Sequence, residues 1–251
     1  MNRLQTWVIN LDRAPDRLQR ISQQLLALQL PFTRLAAVDA RALSPEQLAA
    51  LDTPAYCRQH GKSPLLGELG CYLSHVNVMR LVLASDAEFA LVLEDDVLLD
   101  SSLLSVLLGL MNAPARWDMV KLSAVHSGTP MPVLEVAPGH QLAVMLSRCT
   151  GSSAYLINRQ AAQTYAAGLL PMSLPYDHVF DQGWRFKLKV RLVTPTPCGH
   201  DAQIASSISL PAGASRKFRW WQRGHAHVYR LGNEWQRLVY GLRSLWRERG
   251  A

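Results

Sequence analysis

The acidic triplet Glu94-Asp95-Asp96 directly follows an apolar run that ends in Val92-Leu93. Ligands of open α/β sheets bind beyond the carboxyl ends of strands, so carboxylates at this point would line a crevice. Glu94 and Asp96 project to one side if the strand direction persists, because side chains alternate along a strand. Two such carboxylates can hold Mg²⁺ or Mn²⁺, which prefer oxygen ligands and share their coordination with substrate phosphates. The triplet therefore predicts metal-assisted chemistry on a phosphate-bearing substrate.

The triplet alone leaves other interpretations open. Charged residues are usually exposed, so a solvated loop after a strand has the same pattern. Phosphatases, receiver domains and nucleases also place acids at strand ends. The surrounding segments are needed to separate these alternatives.

The elements that would position the triplet alternate between short apolar runs and helical patterns, as in α/β proteins. Strands are predicted for QTWVIN, TRLAAVDA, FALVLEDD, WDMVKLS, SSAYLIN and KVRLVT, with a hairpin around Pro138-Gly139. Helices are predicted from Pro15 to about Leu28, after Ser44, from Ser63-Pro64 to about Ala84, over SLLSVLLGLM and over RQAAQTYAA. We expect one α/β domain over residues 1–205 with a mostly parallel central sheet, followed by a linker and tail over residues 206–251.

Composition agrees with a folded domain. The chain has 251 residues, of which 49% are apolar and 18% charged, so it can bury a sizeable core and lies outside the disordered class. The N-terminus lacks a signal-peptide pattern, and no apolar segment reaches the ~18–20 residues that span a bilayer. Four scattered cysteines predict thiols and no disulfide framework. We expect a protein made in the cytosol that remains there or on a membrane facing it.

Five sequence blocks resemble glycosyltransferase family 25 in their order and spacing. They are VINLDRAPDR, LAAVDAR, LGELGCYLSH, FALVLEDDVLL and GSSAYLINRQAA, and the resemblance covers about residues 5–205. This family contains lipopolysaccharide and lipooligosaccharide galactosyltransferases, with collagen galactosyltransferases among its relatives. The resemblance implies a GT-A type fold, a UDP-sugar donor, a divalent metal and inversion at the anomeric carbon. It also implies that Asp96 is the principal metal ligand and that Glu94 faces the ribose or a metal-bound water, with Asp95 beside them at the donor site.

The other blocks supply candidate contacts to the nucleotide. Asn10 and Arg13 follow the first strand, where the Arg could pair with the diphosphate or stack on uracil. Asp39 ends the second strand and could accept a hydrogen bond from a ribose hydroxyl or from the uracil N–H. Lys121 follows WDMV and could reach a phosphate. Arg13 and Lys121 each have a plain alternative as an exposed side chain.

Two further blocks could bind the donor. Glu68, Ser74 and His75 lie on the helix predicted after Pro64, and Glu68 and His75 share a face because they are about two turns apart. A helical His is more often structural, which is the alternative for His75. Gly151 and Ser152 lie in a turn of small residues that would let the backbone approach a sugar, unless the turn is an ordinary tight turn.

An inverting transferase needs a carboxylate or His within hydrogen-bond reach of the acceptor hydroxyl. Asp177 and Asp181 are four residues apart in PYDHVFDQGW, so on a helix both would face the same way. We predict Asp177 as the base and Asp181 as the second candidate, with helix capping as the alternative for Asp177. His200 lies beyond the last strand and is the candidate third metal ligand, unless it is a solvent-exposed loop residue.

The net charge of +7 is concentrated in the tail, because residues 215–251 contain nine Lys or Arg and only two acids. Apolar residues recur there at three- and four-residue spacings: Val228, Leu231, Trp235, Leu238, Val239, Leu242, Leu245 and Trp246. A basic, Trp-rich amphipathic helix is typical of an anionic membrane interface. Packing of this helix on the catalytic domain is the alternative. We predict no nucleic-acid partner, because no recognised nucleic-acid-binding fold accompanies the basic stretch.

Together these observations predict a metal-dependent inverting hexosyltransferase. It would move a hexose, with galactose expected, from a UDP-sugar to a lipopolysaccharide or lipooligosaccharide acceptor on the cytoplasmic face of the inner membrane. A non-catalytic glycan- or nucleotide-sugar-binding protein at the membrane surface is the main alternative, and a metal-dependent phosphoesterase is a third.

Overall fold

The computed structural model describes residues 3–200 and 217–249. The strands in these ranges are β1 (Leu4–Asn10), β2 (Thr33–Ala36), β3 (Phe89–Glu94), β4 (Val97–Leu99), β5 (Met119–Lys121), β6 (Pro130–Ala137), β7 (His140–Met145), β8 (Ala154–Asn158), β9 (Val190–Thr194) and β10 (Cys198–His200). The helices are α1 (Pro15–Ala27), α2 (Pro45–Ala49), α3 (Thr53–His60), α4 (Leu66–Ala84), α5 (Leu103–Asn112), α6 (Arg159–Gly168), α7 (Tyr176–Val179), α8 (Gly183–Phe186) and α9 (Gly224–Arg249). A 3₁₀ turn, Trp220–Arg223, precedes α9.

Eight strands form one sheet in the order β2-β1-β3-β8-β5-β9-β7-β6, and β10 pairs with β4 in a second, two-stranded sheet. β1 runs parallel to β2 and β3, and β5 runs parallel to β9. The other four pairings of the large sheet are antiparallel. The α/β class is confirmed, but the expectation of a mostly parallel sheet is wrong. β8 is buried on both faces, so its apolar run matches that of a parallel strand although it runs against both neighbours.

Helices cover both faces of the sheet and enclose two apolar cores. α4 and α6 pack on one face, with Ala90 and Val92 of β3 pointing into that core. α1 and α5 lie on the other face, where Leu91 and Leu93 of β3 are buried. Because side chains alternate along a strand, Glu94 continues the row of Ala90 and Val92. The first acid of the triplet is therefore directed toward α4.

Most predicted elements are confirmed, and their ends have local causes. Pro15 begins α1, and Ser44 and Gln47 form a capping box at the start of α2. The Asn158 side chain accepts from Ala161 N at 2.8 Å and caps α6. α3 was not predicted. The segment PYDHVFDQGW forms two short helices, α7 and α8, so the expectation that its two Asp residues share one helical face is wrong.

The predicted C-terminal helix is α9, which packs on α3, α8 and β7. The predicted linker begins within residues 201–216, which lie outside the described residues. No helix in the two described ranges has both the length and the apolar character that crossing a bilayer requires.

Candidate functional site

A cleft of about 690 Å³, including its open mouth, lies beyond the carboxyl ends of β1, β2 and β3. Its walls are formed by the loops after these three strands and by the first turns of α4. The lining residues are Ile9, Leu11, Arg13, Arg17, Ala37, Val38, Ala40, Gly67, Cys71, Ser74, His75, Glu94, Asp95 and Asp96.

Glu94 ends β3 and is held by three neighbours. Its backbone N–H donates to the Ser153 carbonyl at 2.7 Å. Its Oε1 lies 3.3 Å from both His75 Nε2 and Ser152 Oγ. Burial opposes the charge of Glu94, but these hydrogen bonds and the nearby His200 outweigh burial and lower its pKa. Glu94 is therefore fixed in the cleft as an anion.

Asp95 and Asp96 occupy the turn between β3 and β4. Asn10 Nδ2 donates to Asp95 Oδ2 at 2.7 Å, which fixes the Asp95 carboxylate. Arg17 pairs with both acids, at 3.2 Å from Asp95 Oδ1 and 3.0 Å from Asp96 Oδ2. Burial raises the pKa of Asp95 despite these partners. Burial and the charge of Glu94 raise the pKa of Asp96 to about 6.

The surroundings of one oxygen of the triplet show whether a metal could bind there. Asp96 Oδ1 is buried and has no hydrogen-bond partner within the part of the chain that the structure describes. A buried carboxylate oxygen without a partner is costly unless a cation or a proton satisfies it. The oxygen ligands of Glu94 and Asp96 therefore fit a divalent cation such as Mn²⁺ or Mg²⁺.

His200 lies next to this pair. β10 pairs with β4 so that His200 is opposite Val97, the residue that follows Asp96. Its Nδ1 is 3.3 Å from Ser153 Oγ, and its proximity favours the charged forms of Glu94 and Asp96. His200 therefore lies beside the triplet.

Among the residues that the structure describes, one group of three has the spacing of metal ligands. Cys71, His75 and Glu94 offer ligand atoms that all lie within 4.8 Å of one another. Burial first, and then nearby carboxylates, raise the pKa of the Cys71 thiol well above its usual range, so the thiol is protonated. Hard cations prefer oxygen ligands, so a group with a protonated thiol and an imidazole suits Mn²⁺ and Mg²⁺ poorly, and Asp96 is not part of it. Cys71 was not predicted, although it lies one helical turn before His75 in the block LGELGCYLSH.

His75 is buried and oriented from two sides. Its Nδ1 is 2.9 Å from the Tyr155 hydroxyl, which accepts from the Tyr176 hydroxyl at 3.2 Å. The His75 ring also stacks on the Tyr176 ring, with centroids 4.1 Å apart. These contacts aim Nε2 at Glu94, so His75 acts as a positioning residue for that carboxylate.

The turn Gly151-Ser152-Ser153 connects the triplet with the candidate base. Gly151 has a φ of 100°, a conformation that favours glycine. Its N–H points toward Asp177 Oδ2 at 3.4 Å. Ser152 and Ser153 contact Glu94, as described above. Asp177 is partly exposed, which leaves its carboxylate accessible to an acceptor.

Asp181 has a different environment. Its side chain is fully buried and pairs with Arg237 of α9 at 2.9 Å. The structure therefore does not bring Asp181 to the cleft, because the chain changes direction between α7 and α8. Of the two acids predicted in this segment, Asp177 alone lies beside the Gly151 turn.

Two other residues that were predicted to bind the donor have structural roles instead. Lys121 is buried, donates to the Cys149 carbonyl at 2.8 Å and lies 4.9 Å from the Phe180 ring centroid. Its interior position does not agree with the expectation that it reaches a phosphate. Glu68 Oε2 accepts from the Tyr56 hydroxyl at 2.7 Å and from Leu65 N at 3.0 Å, so Glu68 caps α4.

The remaining predicted residues shape the mouth of the cleft. Ser74 Oγ accepts from Val38 N at 2.9 Å, which ties the loop after β2 to α4. Arg13 lines the cleft and pairs with Asp39. Hydrogen bonds from Arg41, and secondarily Arg13, hold the pKa of Asp39 well below its usual range. Arg17 was missed in the sequence, although it lies one turn after Arg13 in the block VINLDRAPDR.

Comparisons with known proteins identify the family. The model of glycosyltransferase family 25 (LPS biosynthesis protein) matches residues 3–180. Procollagen galactosyltransferase 2 of Homo sapiens is 34% identical over 122 residues, which cover 45% of this chain and 20% of that protein. Procollagen galactosyltransferase 1 of Danio rerio is 29% identical over 182 residues, which cover 69% of this chain and 30% of that protein. A glycosyltransferase 25 family member of Aedes aegypti is 36% identical over 95 residues, or 36% of this chain and 16% of that protein.

The chain thus spans less than a third of the length of these relatives. The family match, in contrast, extends over most of the chain and includes the acidic triplet, the Gly151 turn and Asp177. The resemblance of the five sequence blocks is confirmed, and the chain belongs to glycosyltransferase family 25.

Proposed function

We propose that the chain is a metal-dependent, inverting hexosyltransferase of the GT-A type that transfers galactose from UDP-galactose. The observation that carries this proposal is the buried Asp96 Oδ1, which has no partner among the described residues, beside the anion of Glu94 in the cleft of a family 25 chain. The parallel strands β2-β1-β3, with the cleft beyond their carboxyl ends, support a nucleotide site. The matched procollagen galactosyltransferases support galactose as the hexose.

The donor diphosphate would lie against the acidic triplet. Asp96 and Glu94, with His200, would hold the divalent cation, which supplies charge neutralisation for the leaving diphosphate. Asn10 and Arg17 fix Asp95 and Asp96 in place. Arg13, at the mouth of the cleft, is the proposed cationic contact for the nucleotide.

The acceptor would enter on the side of Asp177. The acceptor oxygen forms the new bond to the anomeric carbon while the bond from that carbon to the diphosphate breaks, and the hydroxyl proton passes to Asp177. A single displacement of this kind inverts the anomeric configuration. The Gly151 turn separates Asp177 from Glu94, so the base and the metal ligands remain distinct.

The proposed acceptor is a lipid-linked oligosaccharide of the lipopolysaccharide or lipooligosaccharide type, at the cytoplasmic face of the inner membrane. The family description, which refers to LPS biosynthesis, supports this choice. The basic C-terminal segment supports a location at an anionic surface.

The test is UDP release with Mn²⁺ and a panel of UDP-sugars, with and without delipidated lipooligosaccharide. We expect acceptor-dependent release that is lost in Asp96→Ala. Asp86→Ala is the matched control, because Asp86 is an exposed acid before the other end of β3. No release from any donor would contradict the transferase and leave a binding protein, whereas cleavage of a simple phosphodiester without acceptor would indicate a phosphoesterase.

A further inference from the structure

α9 packs on the catalytic domain through its polar face. Arg237 is buried against Asp181, and Glu248 pairs with the buried Arg191 at 2.9 Å. The Tyr240 hydroxyl donates to the Leu188 carbonyl at 2.6 Å and accepts from Val190 N at 3.0 Å. Surface helices of globular proteins normally bury an apolar stripe. In α9 the charged and hydroxyl-bearing face is the one turned inward.

The apolar face of α9 is consequently turned outward. Five large apolar side chains on it are between 52% and 78% exposed: Val228, Leu231, Trp235, Leu242 and Trp246. At ~100° per residue their positions fall within an arc of about 60° on the helix. Trp220 and Trp221, in the 3₁₀ turn before α9, are also largely exposed. We call these seven residues the α9 outer face.

We propose that the α9 outer face docks the protein on an anionic lipid bilayer. A row of exposed large apolar side chains of this kind marks an interaction site. Trp side chains favour the headgroup region of a bilayer, and a helix with an apolar face and a basic flank lies in that interface. The exposed Arg243 and Arg247 lie beside the face and would contact anionic headgroups.

The charge of the segment favours lipid over a second copy of the chain. In residues 217–248 the two acids are Glu234 and Glu248, and Glu248 is turned inward against Arg116 and Arg191. Two copies that met through this face would place two net-basic segments against each other, and like charges at an interface oppose association. An anionic bilayer complements the same charges.

The inward contacts fix the direction of the outer face. Rotation of α9 to bury its apolar residues would remove Arg237 from Asp181 and leave buried charges unpaired, which is strongly unfavourable. Gly241 also packs closely, since a Cβ there would lie 3.0 Å from the Met145 carbonyl oxygen. The outer face is therefore a fixed feature of the folded chain.

The inner face of α9 also contacts the part of the chain that carries the proposed base. Arg230 of α9 donates to the His60 carbonyl at 2.7 Å, and the His60 ring lies 5.1 Å from that of His178. His178 follows the proposed base Asp177 in α7. That this docking serves a lipid-linked acceptor rests on the proposed function. Bilayer binding itself does not depend on catalysis.

The experiment is flotation of the full chain with vesicles of phosphatidylcholine, with and without phosphatidylglycerol. We expect binding to the anionic vesicles that weakens as salt is raised. The double variant Trp235→Ser/Trp246→Ser should bind at least tenfold more weakly. Leu26→Ser is the matched control, because Leu26 of α1 is as exposed as Trp246, at 78%, but lies outside the outer face.

Wild-type binding by the double variant, or no binding of the wild type at low salt, would overturn the proposal. A wild-type dimer in light scattering that disappears in the double variant, without vesicle binding, would assign the face to a second copy and also overturn it. UDP release with delipidated acceptor, measured on the same samples, separates the two proposals. Vesicle binding without UDP release would contradict the transferase alone.

Discussion

Arg237 of α9 donates two hydrogen bonds to Asp181, at 2.9 and 3.3 Å, and both side chains are buried. The Arg237 guanidinium also lies 4.9 Å from the Trp184 ring centroid. This ion pair joins the C-terminal helix to the segment that carries Asp177. This contact holds the charged face of α9 against the domain, so Trp235 and Trp246 on the opposite face are exposed.

We predict that Arg237→Met destabilises the fold by about 3–5 kcal/mol, because it leaves the buried Asp181 carboxylate without its partner. The double variant Arg237→Met/Asp181→Leu should recover most of this loss, since no buried charge then remains unpaired. Urea unfolding followed by Trp fluorescence measures both. Arg243→Met, on the exposed side of the same helix, should change stability by less than about 0.5 kcal/mol. A double variant as unstable as the single one would contradict the prediction.

Asp96 should lower the stability of the metal-free protein at neutral pH. Its pKa is raised from 3.8 to about 6 in the folded chain, so between these values the folded state binds more protons than the unfolded state. The free energy of unfolding therefore falls as pH rises through that window. Asp96→Asn removes the buried charge and should stabilise the metal-free protein above pH 6, by an amount on the order of 1–3 kcal/mol.

Thermal unfolding from pH 4 to pH 8 in the presence of a chelator measures this effect. The gain of Asp96→Asn over wild type should shrink toward pH 4, where wild-type Asp96 is protonated. Asp86→Asn makes the same charge change at an exposed position and should show no such pH dependence. Lower stability of Asp96→Asn than of wild type at pH 8 would mean that the Arg17 pair outweighs burial.

The sequence predicts the elements well and their directions poorly. Helix starts at Pro15 and the cap at Asn158 follow from local side-chain preferences, which act within a few residues. The direction of β8 is set by pairing with distant strands, and its apolar run is the same for either direction. The orientation of α9 is also set by residues that are distant in the chain. Its apolar stripe is visible in the sequence, but Asp181 and Arg191, which hold the opposite face inward, are distant in the chain.

The candidate site was likewise only partly predictable from the sequence. Glu94 and Asp96 could be predicted because an acidic triplet directly after a strand must lie at the end of the sheet. Asp177 was already preferred to Asp181 as the base in the sequence, and the structure adds that Asp181 is buried against Arg237. Arg17 and Cys71 each lie one turn from a predicted residue, and only the packing of α1 and α4 around the cleft reveals their part in it.

Mn²⁺ should stabilise the wild-type protein, because Asp96 Oδ1 and Glu94 gain a partner in the folded state only. At a Mn²⁺ concentration of about 100 times its dissociation constant, the gain is about 2.7 kcal/mol. The effect should decline as pH falls below about 6, where a proton competes for Asp96. Thermal shift titrations at pH 5 and pH 8 measure it. Asp96→Asn should lose the shift, and an equal shift in that variant would exclude Asp96 as a ligand.

Asp177→Asn should lower kcat by about 10²–10⁴-fold, the usual contribution of a general base, while the donor KM changes little. The amide keeps the size of the side chain and can still accept from Gly151 N, so the turn that holds Glu94 should remain in place. Initial rates of UDP release at saturating acceptor measure the change. The split between kcat and KM gives a readout that a purely structural role would not produce, because disruption of the turn would also change the donor KM. A nearly wild-type kcat in the variant would assign the base to another group.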